Sequence, residues 1–163
     1  MGNRLALYPG TFDPFTLGHL DVLQRARELF GRVRVVVASD GKSTLFTLAQ
    51  RLALVRECVA DLSDCEVAPL EGLLVDEARR CKAAAIVRGI RSLGDYQHEW
   101  SMALMNQALR PDCETVFLLA RPQLAMLSSS IVREVARHGG DVGAFVPAPV
   151  AVALRRHFEG ERP

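Results

Sequence analysis

Five short apolar runs, separated by stretches of helical periodicity, predict an α/β protein built on a five-stranded parallel sheet. Strands that are apolar almost throughout are buried on both faces, which calls for helices on both sides of a doubly wound sheet. With 163 residues, 49% hydrophobic and 24% charged, the chain can build one real core. No repeat, low-complexity tract or linker divides it, so residues 1–163 read as a single domain. The strand order expected of such a Rossmann-like sheet is 3-2-1-4-5, with a helical extension at the C-terminal end.

The first strand spans 4–8 around Leu5-Ala6-Leu7, and a helix follows over 20–30, closed by Gly31. Val33-Arg34-Val35-Val36-Val37-Ala38 is the strongly β-branched second strand. After a polar loop over 39–44, Thr47 and Gln50 form a T-x-x-Q capping box that opens a helix to about residue 60. A short third strand covers 65–68, a helix 73–81, and a fourth strand 84–87. A long helix runs from about 94 to 109 and stops before Pro111, which cannot continue it. The fifth strand is 115–119. Ser128, Ser129 and Ser130 are N-cap candidates for a helix through 138, ended by Gly139-Gly140. Pro147 or Pro149 starts a last helix, which runs to about 158.

The net charge is +1, so no broad field favours nucleic acid or an anionic membrane, and any anion site must be local. No apolar run reaches the length of a membrane span, and no hydrophobic signal segment precedes the first strand. Cys58, Cys65, Cys81 and Cys113 show neither a C-x-x-C pair nor metal-ligand spacing and read as reduced thiols. The expectation is a cytoplasmic protein without nucleic-acid or membrane partners.

Two segments carry the chemistry. Tyr8-Pro9-Gly10-Thr11-Phe12-Asp13-Pro14-Phe15-Thr16-Leu17-Gly18-His19 joins the first strand to the first helix. Its prolines and glycines bend and stiffen it. Gly18 allows close approach at the helix start. His19 falls in the first helical turn, where free N–H groups and the positive dipole end favour a phosphate. Arg88-Gly89-Ile90-Arg91 reads as the loop after the fourth strand, and guanidinium forks match phosphate oxygens two at a time. In a 3-2-1-4-5 sheet the winding reverses between strands one and four. Both segments then face one crevice at the carboxyl ends of the strands.

The ordered combination of G-T-F-D-P with T-x-G-H, and then Leu127-Ser128-Ser129-Ser130 with Arg133 three residues on, resembles the nucleotidyltransferases related to class I aminoacyl-tRNA synthetases. With Arg88-Gly89-Ile90-Arg91 and Asp95-Tyr96-Gln97-His98-Glu99 included, the likeness runs from Leu5 to about Leu154 and is in detail to the phosphopantetheine adenylyltransferases. That resemblance implies reversible transfer of an adenylyl group from ATP to 4′-phosphopantetheine, giving dephospho-coenzyme A and pyrophosphate, a step of coenzyme A biosynthesis.

The resemblance assigns catalysis to Thr11, His19, Lys42 and Arg91. It places Thr11, Phe12, His19, Gly89, Ile90, Arg91 and Glu99 at ATP, with the run Leu124, Ala125, Met126, Leu127, Ser128, Ser129 and Ser130. It gives Thr11, Lys42, Leu73, Leu74, Arg88, Met102, Met105 and Asn106 to the acceptor. Apolar side chains at this spacing suit ordinary packing as well as a pantetheine pocket. The chain departs from the family pattern at Ser43-Thr44, at Leu124 and at His98, where relatives carry proline or glycine, an aromatic, and an aromatic. Asp13 is open to two roles, bracing the loop or approaching a metal through water. Magnesium is expected to be held mainly through ATP and pyrophosphate, with no dedicated protein ligands. A homohexamer, inhibited by coenzyme A, is the inherited expectation. A sister enzyme using nicotinate mononucleotide or glycerol 3-phosphate, a nucleotide-binding regulatory module and an RNA-binding relic are the alternatives.

Overall fold

The computed structural model describes residues 4–39 and 44–160, so Lys42 lies outside the described residues. Five parallel strands, β1 (Arg4–Gly10), β2 (Gly31–Ala38), β3 (Cys65–Leu70), β4 (Ala85–Ile90) and β5 (Thr115–Leu119), lie in the order β3-β2-β1-β4-β5. The helices among the described residues are α1 (Leu17–Phe30), α2 (Leu48–Cys58), α3 (Leu74–Arg80), α4 (Leu93–Leu109), α5 (Ser129–Arg137) and α6 (Ala148–Glu159). A one-turn 3-10 helix over Pro122–Leu124, which the pattern did not announce, precedes α5.

The alternation of side chains along each strand sorts the core into two layers. Ala6, Tyr8, Val33, Val35, Val37 and Val87 join one cluster with Leu23 of α1, Val55 of α2 and Leu154 of α6. Leu7, Val36 and Ile86 point the other way, onto Val75 and Ala78 of α3. Each fully buried leucine or valine of this kind contributes about 1.5–3 kcal/mol. Burial on both faces is why the strands needed almost no polar residues. The caps follow the sequence signals. Gly31 closes α1 at φ 90°, and Thr47 caps α2, its own amide donating to Gln50 Oε1 at 2.9 Å. Pro147 rather than Pro149 is the cap of α6.

Three strands run further than their apolar runs, β3 reaching Pro69 and Leu70 against Val37 and Ala38 of β2. β1 continues through Pro9 and Gly10, and β4 through Arg88, Gly89 and Ile90. The segment 88–90 is therefore strand, not loop, and only Arg91 lies beyond it. Pairing explains the extension, because Arg88, Gly89 and Ile90 register against Phe117, Leu118 and Leu119 of β5. A strand held from one side tolerates residues that the other side leaves free.

That free side matters most. β1 pairs with β2 along its whole length, but with β4 only at Ala6↔Ala85 and Leu7↔Ile86. Beyond those pairs the two central strands no longer bond to each other, and a crevice opens at the switch point of the winding. The Arg88 guanidinium reaches across it, Nη1 donating to the Pro9 carbonyl at 2.7 Å.

Candidate active site

Past Gly10 the chain turns over the end of β1. Phe12 sits at φ 51°, a left-handed conformation that bulky residues rarely adopt. Its ring covers Gly10, where a Cβ would stand 2.7 Å from the ring tip. Only glycine admits the ring there. Phe12 packs edge-on against Tyr8 and His19, with centroids 5.4 and 5.2 Å away.

Asp13 is buried and fully occupied. Its Oδ2 accepts from the Leu45 amide at 2.7 Å and its Oδ1 from the Phe46 amide at 2.9 Å. Arg133 of α5 donates to the Asp13 carbonyl and, at 3.4 Å, to its carboxylate. Of the two roles open to Asp13, the geometry is that of a brace.

Nothing in the sequence pattern marked Arg51. It lies in α2, 2% exposed, and donates to three carbonyls: Thr11 at 2.6 Å, Ala38 at 2.7 Å and Phe46 at 3.2 Å. One guanidinium thus ties the turn after β1, the end of β2 and the approach to α2. A basic residue in a helix reads as solvated unless its three-dimensional neighbours are known.

His19 is the third residue of α1 and completes a capping box with Thr16. The Thr16 hydroxyl accepts from the His19 amide at 3.3 Å, and the Thr16 amide donates to His19 Nδ1 at 3.0 Å. An amide can only donate, so Nδ1 is the acceptor and the ring proton sits on Nε2. Burial, followed by the charges of Arg91 and Arg88, pushes the imidazole down to about 4. At neutral pH it is an uncharged donor held at a helix N-terminus.

Two arginine–carboxylate pairs face it. Arg88 forms a fork with Glu99 of α4, Nε to Oε2 at 2.5 Å with a second bond from Nη2 to Oε1. Arg91 pairs with Asp95 at 2.8 and 3.1 Å and donates to the Leu127 carbonyl at 2.7 Å. Partial burial acts to raise the Asp95 carboxyl, but the hydrogen bonds and charge of Arg91 hold it below its usual range. These bidentate pairs fix both forks in place.

The crevice contains a cavity of about 400 Å³ walled by Thr11, Phe12, Gly18, His19, Gly89, Arg91, Leu124, Leu127, Ser129 and Ser130, among others. A second cavity of about 380 Å³, mostly apolar, is lined by Leu73, Leu74, Met102, Met105 and Asn106, with His98. The two share Pro9, Gly10, Thr11, Arg88 and Glu99. Most of the residues expected at the site therefore converge from distant parts of the chain. Ile90, Ala125, Met126 and Ser128 do not line either cavity. Ile90 is buried, Met126 is 73% exposed, and the Ser128 hydroxyl caps α5 by accepting from the Ile131 amide at 3.1 Å. Of the three serines, Ser129 donates to the Pro14 carbonyl at 2.8 Å, which pins the start of α5 to the loop before α1.

Comparison with known proteins bears on the family and the fold. Residues 7–135 match the family described as cytidylyltransferase-like. The phosphopantetheine adenylyltransferase of Methylococcus capsulatus is 50% identical over 97% of this chain and 98% of its own. That of Moorella thermoacetica is 47% identical over 95% and 98%. Among solved structures, a putative nicotinate-nucleotide adenylyltransferase from Vibrio parahaemolyticus superimposes with a TM-score of 0.75 over 99% of this chain and 98% of its own; at 17% identity it shares the fold. The chain belongs to the cytidylyltransferase-like family and, within it, to the phosphopantetheine adenylyltransferases.

Proposed function

We propose that this chain transfers an adenylyl group from ATP to 4′-phosphopantetheine, reversibly, giving dephospho-coenzyme A and pyrophosphate. One observation carries the reading. A cavity of mixed lining, walled by His19 and arginines, meets a mostly apolar cavity at Thr11 and Arg88. A nucleotide suits the first. An acceptor with a phosphate at one end and a long neutral arm suits the junction and the second. The identity to curated relatives supports the same acceptor.

In this reading the reaction needs positioning more than proton transfer. A phosphate monoester has a second pKa of about 6, so the acceptor is mostly a dianion at neutral pH and requires no base. Its oxygen bonds to the α-phosphorus of ATP. The bond from that phosphorus to the bridging oxygen breaks, and the electron pair leaves with pyrophosphate. Thr11 and Arg88 orient the acceptor phosphate. His19 Nε2–H donates to the crowded α-phosphoryl oxygens. Arg91 offsets the developing charge, with Lys42 as a second cation.

The cavity carboxylates are already committed, Asp13 to two amides and Asp95 and Glu99 to arginines. That donor set fits magnesium carried on the triphosphate rather than caged by the protein, and magnesium so bound would spread the charge of the leaving pyrophosphate. A cytoplasmic enzyme is the form proposed; no helix among the described residues is long and apolar enough to cross a membrane. The exposed apolar residues Leu93, Trp100, Leu104 and Leu109 of α4 support association of copies, with a homohexamer as the form proposed.

The test is pyrophosphate release from ATP and magnesium with each acceptor in turn. Release with phosphopantetheine, and little with nicotinate mononucleotide or glycerol 3-phosphate, is the expected outcome. No release with phosphopantetheine overturns the proposal.

A further inference from the structure

The cavity at His19 contains a hydroxyl that no described residue answers. Tyr8 of β1 is 4% exposed, its ring locked edge-on against Phe12. It lines the cavity together with His19, Gly89, Arg88 and Arg91. Its hydroxyl makes no hydrogen bond among the described residues. It is also absent from the polar atoms sealed off without a partner, which are Arg27 Nε and Thr115 Oγ1. The small accessible part of the residue therefore includes the oxygen, and the cavity is where it emerges. Buried tyrosine hydroxyls normally find a partner, and one left open inside a ligand-sized cavity points to a partner that arrives with the ligand. The surrounding charges select its kind. Arg88 and Arg91 are the strongest charges acting on the phenol, ahead of Asp21 and Glu99, so anionic oxygen is what collects beside it. Burial pushes the phenol above its ordinary value, which keeps it a neutral donor.

We propose that the Tyr8 hydroxyl donates a hydrogen bond to a nonbridging phosphate oxygen of the bound reactants, beside the forks of Arg88 and Arg91. This rests on the adenylyl-transfer reading above. It adds a substrate-contacting residue at the head of the first segment, still within β1, where the resemblance assigned no role.

Tyr8→Phe removes one oxygen and keeps the ring packed against Phe12. Because the hydroxyl has no partner among the described residues, Tm should hold or rise slightly. The value of kcat/KM for pyrophosphate release should fall about 10- to 100-fold, as for a lost hydrogen bond to a charged group. A change within twofold overturns the proposal. So does a loss of activity accompanied by a fall of several degrees in Tm, since the hydroxyl would then be structural.

A second measurement does not depend on turnover. The chain has two tyrosines, Tyr8 and Tyr96, so labelling tyrosine with carbon-13 at Cζ gives two resonances that Tyr96→Phe assigns. Inorganic pyrophosphate with magnesium should move the Tyr8 signal and leave that of Tyr96. A Tyr8 signal that stays in place in an enzyme that turns over overturns the contact alone. A signal that moves in a chain releasing no pyrophosphate from phosphopantetheine supports the contact and overturns the adenylyl-transfer reading instead.

Discussion

Replacing His19 by glutamine separates its structural work from its chemical work. Glutamine is the usual residue at this position of a capping box, and the chain supplies its own template in Thr47 and Gln50 of α2. In His19→Gln the new amide oxygen can accept from the Thr16 amide as Nδ1 does now, so α1 stays capped. What disappears is the Nε2–H donor and the titration. For turnover the expected cost is about two to three orders of magnitude in kcat, the scale of losing one preorganised donor to a charged transition state, with KM for ATP changing far less.

For stability the sign follows from the direction of the shift. The folded imidazole is pushed down to about 4, while an unfolded histidine titrates near its ordinary 6.5. Between those values the unfolded chain binds the proton and the folded chain does not. The wild-type fold therefore loses stability on this account as pH falls from about 6.5 to about 4, by on the order of 3 kcal/mol, and is level above that window. His19→Gln lacks this dependence. Urea unfolding of both proteins across the window should show the wild type losing ground to the variant by about 1.4 kcal/mol per pH unit. An inflection of activity near pH 6 belongs to the acceptor phosphate and should persist in both. Imidazole NMR gives the refuting results: a His19 that titrates at or above 6.5, or carries its proton on Nδ1, ends this line of reasoning.

Asp13→Asn exchanges an acceptor oxygen for an NH2 group that cannot accept from either the Leu45 or the Phe46 amide. The cost should be about 1–3 kcal/mol, or about 2–4 °C in Tm for each kcal/mol, and calorimetry that finds no change contradicts the brace. Leu73 and Met102 are 56% and 45% exposed, so replacing both by alanine should leave Tm nearly unchanged. It should raise KM for phosphopantetheine and spare KM for ATP; an equal rise in both would separate the apolar cavity from the acceptor. Chelating divalent metal should stop turnover while the unliganded protein keeps its Tm, and activity persisting in excess chelator would count against magnesium carried on the nucleotide.

How much of this was legible in the sequence depended on whether the information was local. The β-branched run at Val35-Val36-Val37, the Thr47–Gln50 box and the Gly31 cap act within a few residues, and all three appear where the pattern put them. The ends of β1 and β4 did not, because Arg88 and Gly89 become strand through pairing with β5, about thirty residues away. Most of the residues that line the candidate site, from Thr11 and His19 to Ser129, stand in motifs whose order was legible. Arg51 was not, since its role consists of three carbonyls supplied by other segments. Tyr8 stood at the head of the first segment but received no role, for a related reason. A tyrosine in an apolar strand reads as core, and its ring is core; only the cavity reveals that its oxygen stands open.

The charges around the cavity at His19 bear on what must bind with the nucleotide. Among the described residues its walls carry Arg88, Arg91 and Arg133 against Asp13, Asp95 and Glu99, with His19 neutral, so the fixed charges balance. The pairs gain direction at the expense of net field. Each fork is aimed by a carboxylate, and Arg88 uses three of its five N–H groups on Glu99 and Pro9, leaving the others for a ligand oxygen. A triphosphate and a phosphate dianion brought together in such a site bring far more negative charge than its described walls offset. The remainder has to come from cations that travel with the reactants or from Lys42. A site poised in this way holds little unpaired charge when empty and needs added positive charge when filled, which is why the metal proposed above is expected to matter for ligand binding and turnover rather than for the fold.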